Sequence, residues 1–311
     1  MTDYSSEEAS LDEFVDYFNA RDLEAIRELL DDEVSAPFFG GNEAETVMQG
    51  VGELILGYPG IVTTRGEFFY PDKMDPEIRE RTEAACLKGS SSIHATGSSP
   101  GFITEAVPLV LASVARRIDC LTIDEFAYIP ESCSPEMVFD VMGYGRPPGT
   151  EFDPHLLSHM AQCFEQSLSS LADALSLELD NVEASGETAT ATDPVKIAEG
   201  AFIEKGTVAA QRITVAGMRN GQPLLRFRAN WYCATEIEPD WTLGETGWRV
   251  LVEGDTPFDI SIKLPPTAES VAEQMGGYTA HRAVNAVPYV CAARPGIVTI
   301  ADMPQIIARL S

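Results

Sequence analysis

The chain has 311 residues, 44% hydrophobic and 23% charged, which suits one large domain or two and allows a sizeable buried core. Its formal net charge of −28 repels phosphate backbones and anionic lipid, so nucleic acid and membrane are excluded as partners. Dinucleotides stay admissible, because local backbone dipoles and a few arginines can hold them.

From the N-terminus, residues 1–10 read as a disordered lead. Ser10 with Glu13 then forms a capping box ahead of an apolar stripe of Leu11, Phe14, Val15 and Phe18. A second stripe follows after "NARD", and "GVGELILGYPG" reads as a short helix, with "IVTTRGEFFY" as a strand. Asp75-Pro76-Glu77 opens a further helix that closes near Lys88-Gly89. Ile93–Ala95 is a short strand, the loop "TGSSPGF" follows, and a helix is predicted over residues 102–116. "IDCLTIDEFAYI" alternates as a strand, "SPEMVFDVM" is a helix, and residues 153–176 form a strongly periodic helix. Five strand patterns come next, two of them joined by Asn220-Gly221, a hairpin signal. An apolar helix ending at Pro295-Gly296 and a closing segment complete the chain. A long helix ahead of consecutive strands predicts an α+β fold, a mostly antiparallel sheet with helices packed on one face. A small helical unit precedes it, and no complete Rossmann domain is visible.

The six cysteines contain no Cys-x-x-Cys pair and several sit in apolar runs, so a reducing cytoplasm is expected rather than a disulfide framework or zinc site. The start is acidic and polar, and no segment reaches the ~18 apolar residues that span a bilayer. A soluble, cytoplasmic protein is the expectation. Gly50-Val51-Gly52 with Gly57 has the wrong spacing for a dinucleotide fingerprint.

The loop after Ala95 admits two readings. Thr96, Ser98 and Ser99 offer hydroxyls, Gly97 and Gly101 permit close backbone approach, and free N–H groups at the next helix start could hold an anion. Alternatively Ser99 simply caps that helix, with Pro100 in its first position. His155 and His159 share a helix face, but no third ligand follows at motif spacing, so no metal site is expected. His94 and His281 could each donate a proton. Asn285 lies on the His281 face of an otherwise apolar helix, while Arg282 points about 100° away.

Three ordered stretches carry a resemblance: "HATGSSPGF", "DEFAYIPESCSPEMVFDVMGYG" and "YTAHRAVNAVPYVCAARPGIVT". From about Tyr70 onward the chain resembles the later part of the dihydrodipicolinate reductase-like enzymes, in the branch of 2,4-diaminopentanoate dehydrogenase and NAD(P)H-dependent amine dehydrogenases. The resemblance implies an oxidoreductase acting on a C–N or C=N bond of a small amino acid-like substrate, with NAD(P)H as cofactor and a homo-oligomer formed through the antiparallel sheet. It places Thr96, Gly97 and Ser98 beside the cofactor, Ser99 and Asn285 beside the substrate, and Glu125 and His281 as proton handlers. The His-His pair, Lys and Asp-Ala-Pro-Ser-Gly-Thr loop of true dihydrodipicolinate reductases are absent, which argues against lysine-pathway reduction. The Gly-rich strand–turn–helix with which family members begin has no counterpart here. In its place residues 11–68 resemble the opening of a SnoaL-like, nuclear transport factor 2-like domain, leaving residues 69–311 as the dehydrogenase C-terminal-like domain. Two other functions are compatible with this: a regulatory oligomer that binds a small molecule without catalysis, and a SnoaL-like cyclase or isomerase.

Overall fold

In a computed structural model the described residues are 59–308, apart from 132, 150, 151, 153, 199 and 266–270. The two helical stripes expected before residue 59, and the resemblance over residues 11–58, lie outside the described residues. Val51–Ser311 form one compact unit.

This unit is built on two principal sheets. The first is small and parallel, with strand order β1 (Gly60–Thr63), β2 (Ser92–Ala95), β12 (Gly296–Ile297). Between β1 and β2 runs α1 (Pro76–Gly89), started as its sequence predicts. The Asp75 carboxylate accepts the N–H groups of Glu77 at 3.0 Å and Ile78 at 3.1 Å, and Pro76 fills the first turn. The helix ends on Ser90, at φ 51°, one residue past the expected Gly89. Only Gly60–Thr63 of "IVTTRGEFFY" is strand, and Gly66–Phe68 is a 3-10 turn. β1 pairs in parallel with β2, Gly60 opposite Ser92 and Thr63 opposite Ala95.

The second sheet has seven strands. They are β3 (Ile118–Tyr128), β4 (Asn181–Ala191), β7 (Val208–Arg219), β8 (Gln222–Tyr232), β9 (Ile237–Glu238), β10 (Gly247–Gly254) and β11 (Phe258–Lys263). A separate hairpin joins β5 (Val195–Ala198) to β6 (Ala201–Ile203). The order in the large sheet is β11-β10-β3-β8-β7-β4-β9, antiparallel throughout except for the β3–β8 pair. The predicted turn is present: Asn220 and Gly221 have φ values of 53° and 71°, and they join β7 to β8.

Alternation along β8 sends Leu225, Phe227 and Ala229 into the core and Arg226, Arg228 and Asn230 to the other side. The core face is covered by α3 (Pro154–Ala174), whose Phe164, Leu168 and Leu171 pack on Ile213, Phe227 and Val250. Phe164 stacks on Phe227 with ring centroids 3.7 Å apart. The opposite face is polar: Arg228 is ion-paired with Asp124 and Arg249 with Asp259. Arg212 lies over the Trp241 ring, 4.3 Å from its centroid.

The helix before the sheet is shorter than predicted. Phe102–Ala106 winds with wide turns into α2 (Val107–Ala112). The last helix, α4 (Val271–Cys291), carries Pro288 within it and lies against the parallel sheet. The Ser92 hydroxyl donates to the Val290 carbonyl, and Gly60 abuts the Cys291 backbone so closely that a Cβ there would lie 2.9 Å from it. Among the described residues no helix is long and apolar enough to cross a membrane.

Candidate functional site

The loop after β2 sits at the carboxyl end of the parallel strands, the edge at which open α/β sheets bind ligands. Thr96 extends the pairing, its N–H donating to the Thr63 carbonyl at 2.9 Å. The chain then turns, and the Phe102 N–H returns to the Gly97 carbonyl at 2.8 Å. Gly101 is the residue that makes this turn possible. Its φ is +121°, and a Cβ there would lie 2.9 Å from Thr96 Oγ1.

The capping reading of Ser99 does not hold. Ser99 and Pro100 have extended backbone angles, and the helix proper begins beyond Gly101. The Gly101 N–H is taken by Thr104 Oγ1 at 2.9 Å, while Ser99 Oγ is buried with no partner among the described residues. Ser98 is tied to α4, its hydroxyl 2.7 Å from Thr279 Oγ1.

Behind the loop lies a group of ionisable side chains that the sequence did not single out as a set. Glu105 is 2% exposed, and Ser167 Oγ of α3 is 2.8 Å from its Oε1 and 2.7 Å from Thr104 Oγ1. Burial pushes the Glu105 carboxyl up to about 8, against the opposing pull of the Ser167 hydroxyl and the Arg282 charge. Arg282 donates through Nη1 to the Ile306 carbonyl at 3.4 Å, while its Nε and Nη2 are buried without partners among the described residues. Burial also lowers the Arg282 pKa, which the Glu105 charge opposes. His94, 2% exposed, lies 2.8 Å through Nδ1 from the Val298 carbonyl, so that nitrogen carries the proton and Nε2 is left unpartnered. Burial lowers its pKa to about 4, and the Arg282 charge adds to the effect. His94 is therefore neutral near pH 7 and is no proton donor of the ammonium type.

The large sheet supplies the opposing wall. Glu125, half-buried on β3, has one carboxylate oxygen on each of two indoles: Trp231 Nε1 is 3.1 Å from Oε1 and Trp248 Nε1 is 3.0 Å from Oε2. The Trp248 ring meets Phe102 of the loop and Tyr278 of α4 edge-on, with centroids 6.1 Å away in both cases. The Arg282 guanidinium carbon is 6.0 Å from the Phe102 ring centroid. Loop, sheet and C-terminal helix thus converge through Phe102, Trp248 and Tyr278.

The structure brings Thr96, Gly97, Ser98 and Ser99 together in the loop and joins Glu125 to it through Trp248 and Phe102. His281 is exposed, its ring beside Gly277, and no contact among the described residues links it to Glu125. Asn285 is half-buried on the stretch of α4 between Thr279, at the loop, and Val290, at the start of β2. Its amide makes no hydrogen bond among the described residues. Glu105 was the legible omission: a lone acid in "GFITEAVPLVLA" is a charge inside an otherwise apolar run. Arg282 was read only by its angle from His281, and the inward side of α4 is set by packing.

Comparison with known proteins agrees with this architecture. Residues 153–311 match the model for the 2,4-diaminopentanoate dehydrogenase C-terminal domain. An amine dehydrogenase from Streptomyces virginiae is 27% identical over 236 residues, 74% of this chain and 65% of the relative. A 2,4-diaminopentanoate dehydrogenase from Acetoanaerobium sticklandii is 22% identical over 252 residues, 78% of this chain and 66% of the relative. The chain thus spans slightly under two thirds of the length of these curated relatives. The solved structure of an amine dehydrogenase from Mycobacterium smegmatis superposes with a TM-score of 0.62 at 18% identity, over 85% of this chain and 74% of that one, a likeness of fold. With residues 153–311, the helix-covered antiparallel sheet and the last helix among them, matched by this model, the chain belongs to the 2,4-diaminopentanoate dehydrogenase C-terminal domain family.

Proposed function

We propose that the protein is an oxidoreductase of the amine dehydrogenase type, exchanging hydride between NAD(P)H and the C–N carbon of a small amine or amino acid-like substrate. The observation that carries this reading is the meeting of the Thr96–Phe102 loop, at the carboxyl end of β2, with the Glu125 carboxylate and its aromatic wall. The residues present fit the nicotinamide end of such a cofactor. Ser99 Oγ is a buried hydroxyl with no partner among the described residues, and Asn285 is a half-buried amide on the helix that lies against the parallel sheet. No Gly-rich phosphate loop is present among the described residues. When bound, the nicotinamide supplies the hydride donor or acceptor.

The chain's own groups then do the rest. Thr96, Gly97 and Ser98 would hold the nicotinamide end, and Gly97, which has no side chain, would let the backbone approach it. Ser99 and Asn285 orient the reacting group by hydrogen bonds. Phe102, Trp248 and Tyr278 exclude water from the reacting carbon. Of the two proposed proton handlers, His281 has its ring open to solvent and is the one suited to relaying a proton, whereas Glu125 is committed to the two indoles and serves binding. A homo-oligomer formed through the antiparallel sheet belongs to the same proposal, its polar face presenting Arg226 and Arg228.

Calorimetric titration of the full chain with NADH and with NADPH, followed by amine-dependent reduction of the oxidised cofactor, tests the reading. Saturable binding of one of them and turnover of a small amine are expected. No binding of either at millimolar concentration would overturn it for this chain and favour a non-catalytic ligand-binding role. Asn285→Ala should weaken cofactor or substrate binding with little change in Tm, whereas a large loss of stability would show that Asn285 is structural.

A further inference from the structure

We infer that the polar face of the large sheet carries a separate binding site for a small organic carboxylate with an apolar body, the carboxylate held by Arg212 and the body by Phe126, Trp241 and Leu243. The inference does not depend on the oxidoreductase reading.

Strand register puts the parts of the site together. Arg212 of β7 stands opposite Asn230 of β8, which stands opposite Phe126 of β3, so the three share one row on one face. The next row on this face holds Arg228, Asp124 and Arg249. A cavity of about 660 Å³ opens over these rows, and Asp240, Trp241 and Leu243, from the segment before β10, add to its wall. Asp124 and its neighbour Glu125 face opposite sides of β3, so the cavity lies across the sheet from the Glu125 carboxylate.

Arg212 is a firmly held cation without a counter-charge. Its Nε donates to Asn230 Oδ1 at 2.6 Å, and its guanidinium lies over the Trp241 ring. Asn230 is fixed in turn: it is 2% exposed, and its Nδ2 donates to the carbonyls of Glu125 at 3.2 Å and Arg228 at 3.3 Å. Neither contact of Arg212 supplies negative charge, and no carboxylate lies within ion-pair distance of it among the described residues. Burial lowers its pKa and the Arg228 charge lowers it further, with Glu187 and Asp124 only partly opposing. Its two terminal nitrogens make no hydrogen bond among the described residues. A half-buried guanidinium so oriented presents the planar fork that a carboxylate fills.

Charge and wall select the ligand. The other cations of the lining are each matched, Arg228 by Asp124, Arg249 by Asp259 and Lys263 by Glu245. One unmatched guanidinium suits one negative charge, and exposed Asp240 opposes a second, so a divalent phosphate or sulfate fits poorly. Phe126, Trp241 and Leu243 add apolar surface beside Arg212, which favours a hydrocarbon body over a bare anion. A net charge of −28 repels anions at long range, so affinity for one has to come from such local contacts.

Calorimetric titration of the full chain, without cofactor and in a carboxylate-free buffer of constant ionic strength, tests the inference. The probes are benzoate, acetate, sulfate and benzyl alcohol, the last resembling benzoate in shape without its charge. Benzoate should bind saturably and about tenfold or more tighter than the other three. Arg212→Gln should lower benzoate affinity about tenfold or more, to the level of benzyl alcohol. Benzoate binding that survives Arg212→Gln overturns the inference, as does acetate or sulfate binding as tightly as benzoate. If Arg212→Gln does not fold, Arg212→Lys decides: it keeps the charge and loses the fork, so a loss of about threefold or more is expected and no loss overturns the inference. Sedimentation velocity separates the other source of a carboxylate, an Asp or Glu side chain of a second copy. A chain that binds no benzoate and changes its oligomeric state in Arg212→Gln puts that side chain on Arg212 and overturns the small-molecule site.

Discussion

Glu105→Gln separates two physical pictures of the buried acid behind the loop. Glu105 is 2% exposed, and burial raises its carboxyl from 4.5 to about 8. In the unfolded chain it ionises near its ordinary value. Between these two values the folded protein holds a proton that the unfolded chain has lost, so stability falls as pH rises across that window. At about 1.4 kcal/mol per pH unit, the loss from pH 4.5 to pH 8 is roughly 5 kcal/mol, with about 3.5 kcal/mol of it already incurred by pH 7. Glutamine has nearly the shape of the neutral acid, can accept from Ser167 through its amide oxygen, and does not titrate. The variant should therefore match the natural chain near pH 4.5 and become progressively more stable than it up to pH 8, where the difference levels off. Urea denaturation of both proteins at intervals from pH 5 to pH 9 measures this directly, since other titrating groups cancel in the difference. The competing picture is an ion pair between Glu105 and Arg282, whose Nε and Nη2 have no other partner among the described residues. Under that picture Glu105→Gln strands a buried cation and costs roughly 3–5 kcal/mol at pH 7. A variant less stable than the natural chain at pH 7, or a difference independent of pH, would refute the neutral-acid reasoning.

His94 should show the opposite dependence: its pKa lies at about 4 in the fold, below the ordinary 6.5, so its contribution is present above 6.5 and lost as pH falls toward 4, roughly 3 kcal/mol in all. Proton NMR should find the His94 imidazole neutral at pH 5.5, and a midpoint above pH 6 contradicts the assignment. Gly101→Ala should destabilise by roughly 2 kcal/mol, because φ is +121° and the new Cβ would press on Thr96 Oγ1; an unchanged denaturation midpoint would mean that the loop relaxes freely. Asp75→Ala removes the acceptor of two N–H groups at the start of α1 and should cost about 1 kcal/mol, read by the same denaturation curve. A loss below a few tenths would show that water replaces the cap.

Local rules that need only neighbours in sequence were enough for much of the fold. The Asp75-Pro76 helix start, the Asn220-Gly221 turn and the alternation of Leu225, Phe227 and Ala229 with arginines all follow from backbone preference or a period of two. The periodic helix Pro154–Ala174 also follows, since its Phe164, Leu168 and Leu171 stripe is written in the spacing. These fix element identity and which residues face a core. They do not say which element a strand pairs with. That β1 and β12 flank β2, or that β3 lies parallel to β8, depends on contacts between residues far apart in the chain. The site was legible where its parts are contiguous, as in the Thr96–Phe102 loop. It was illegible where chemistry is made by convergence. Trp231 and Trp248 are 106 and 123 residues from Glu125, and only folding puts their N–H groups on its two oxygens. Glu105 and His94 are ordinary titratable residues in sequence. Their altered ionisation comes from the water that the tertiary structure removes, and no local pattern records that.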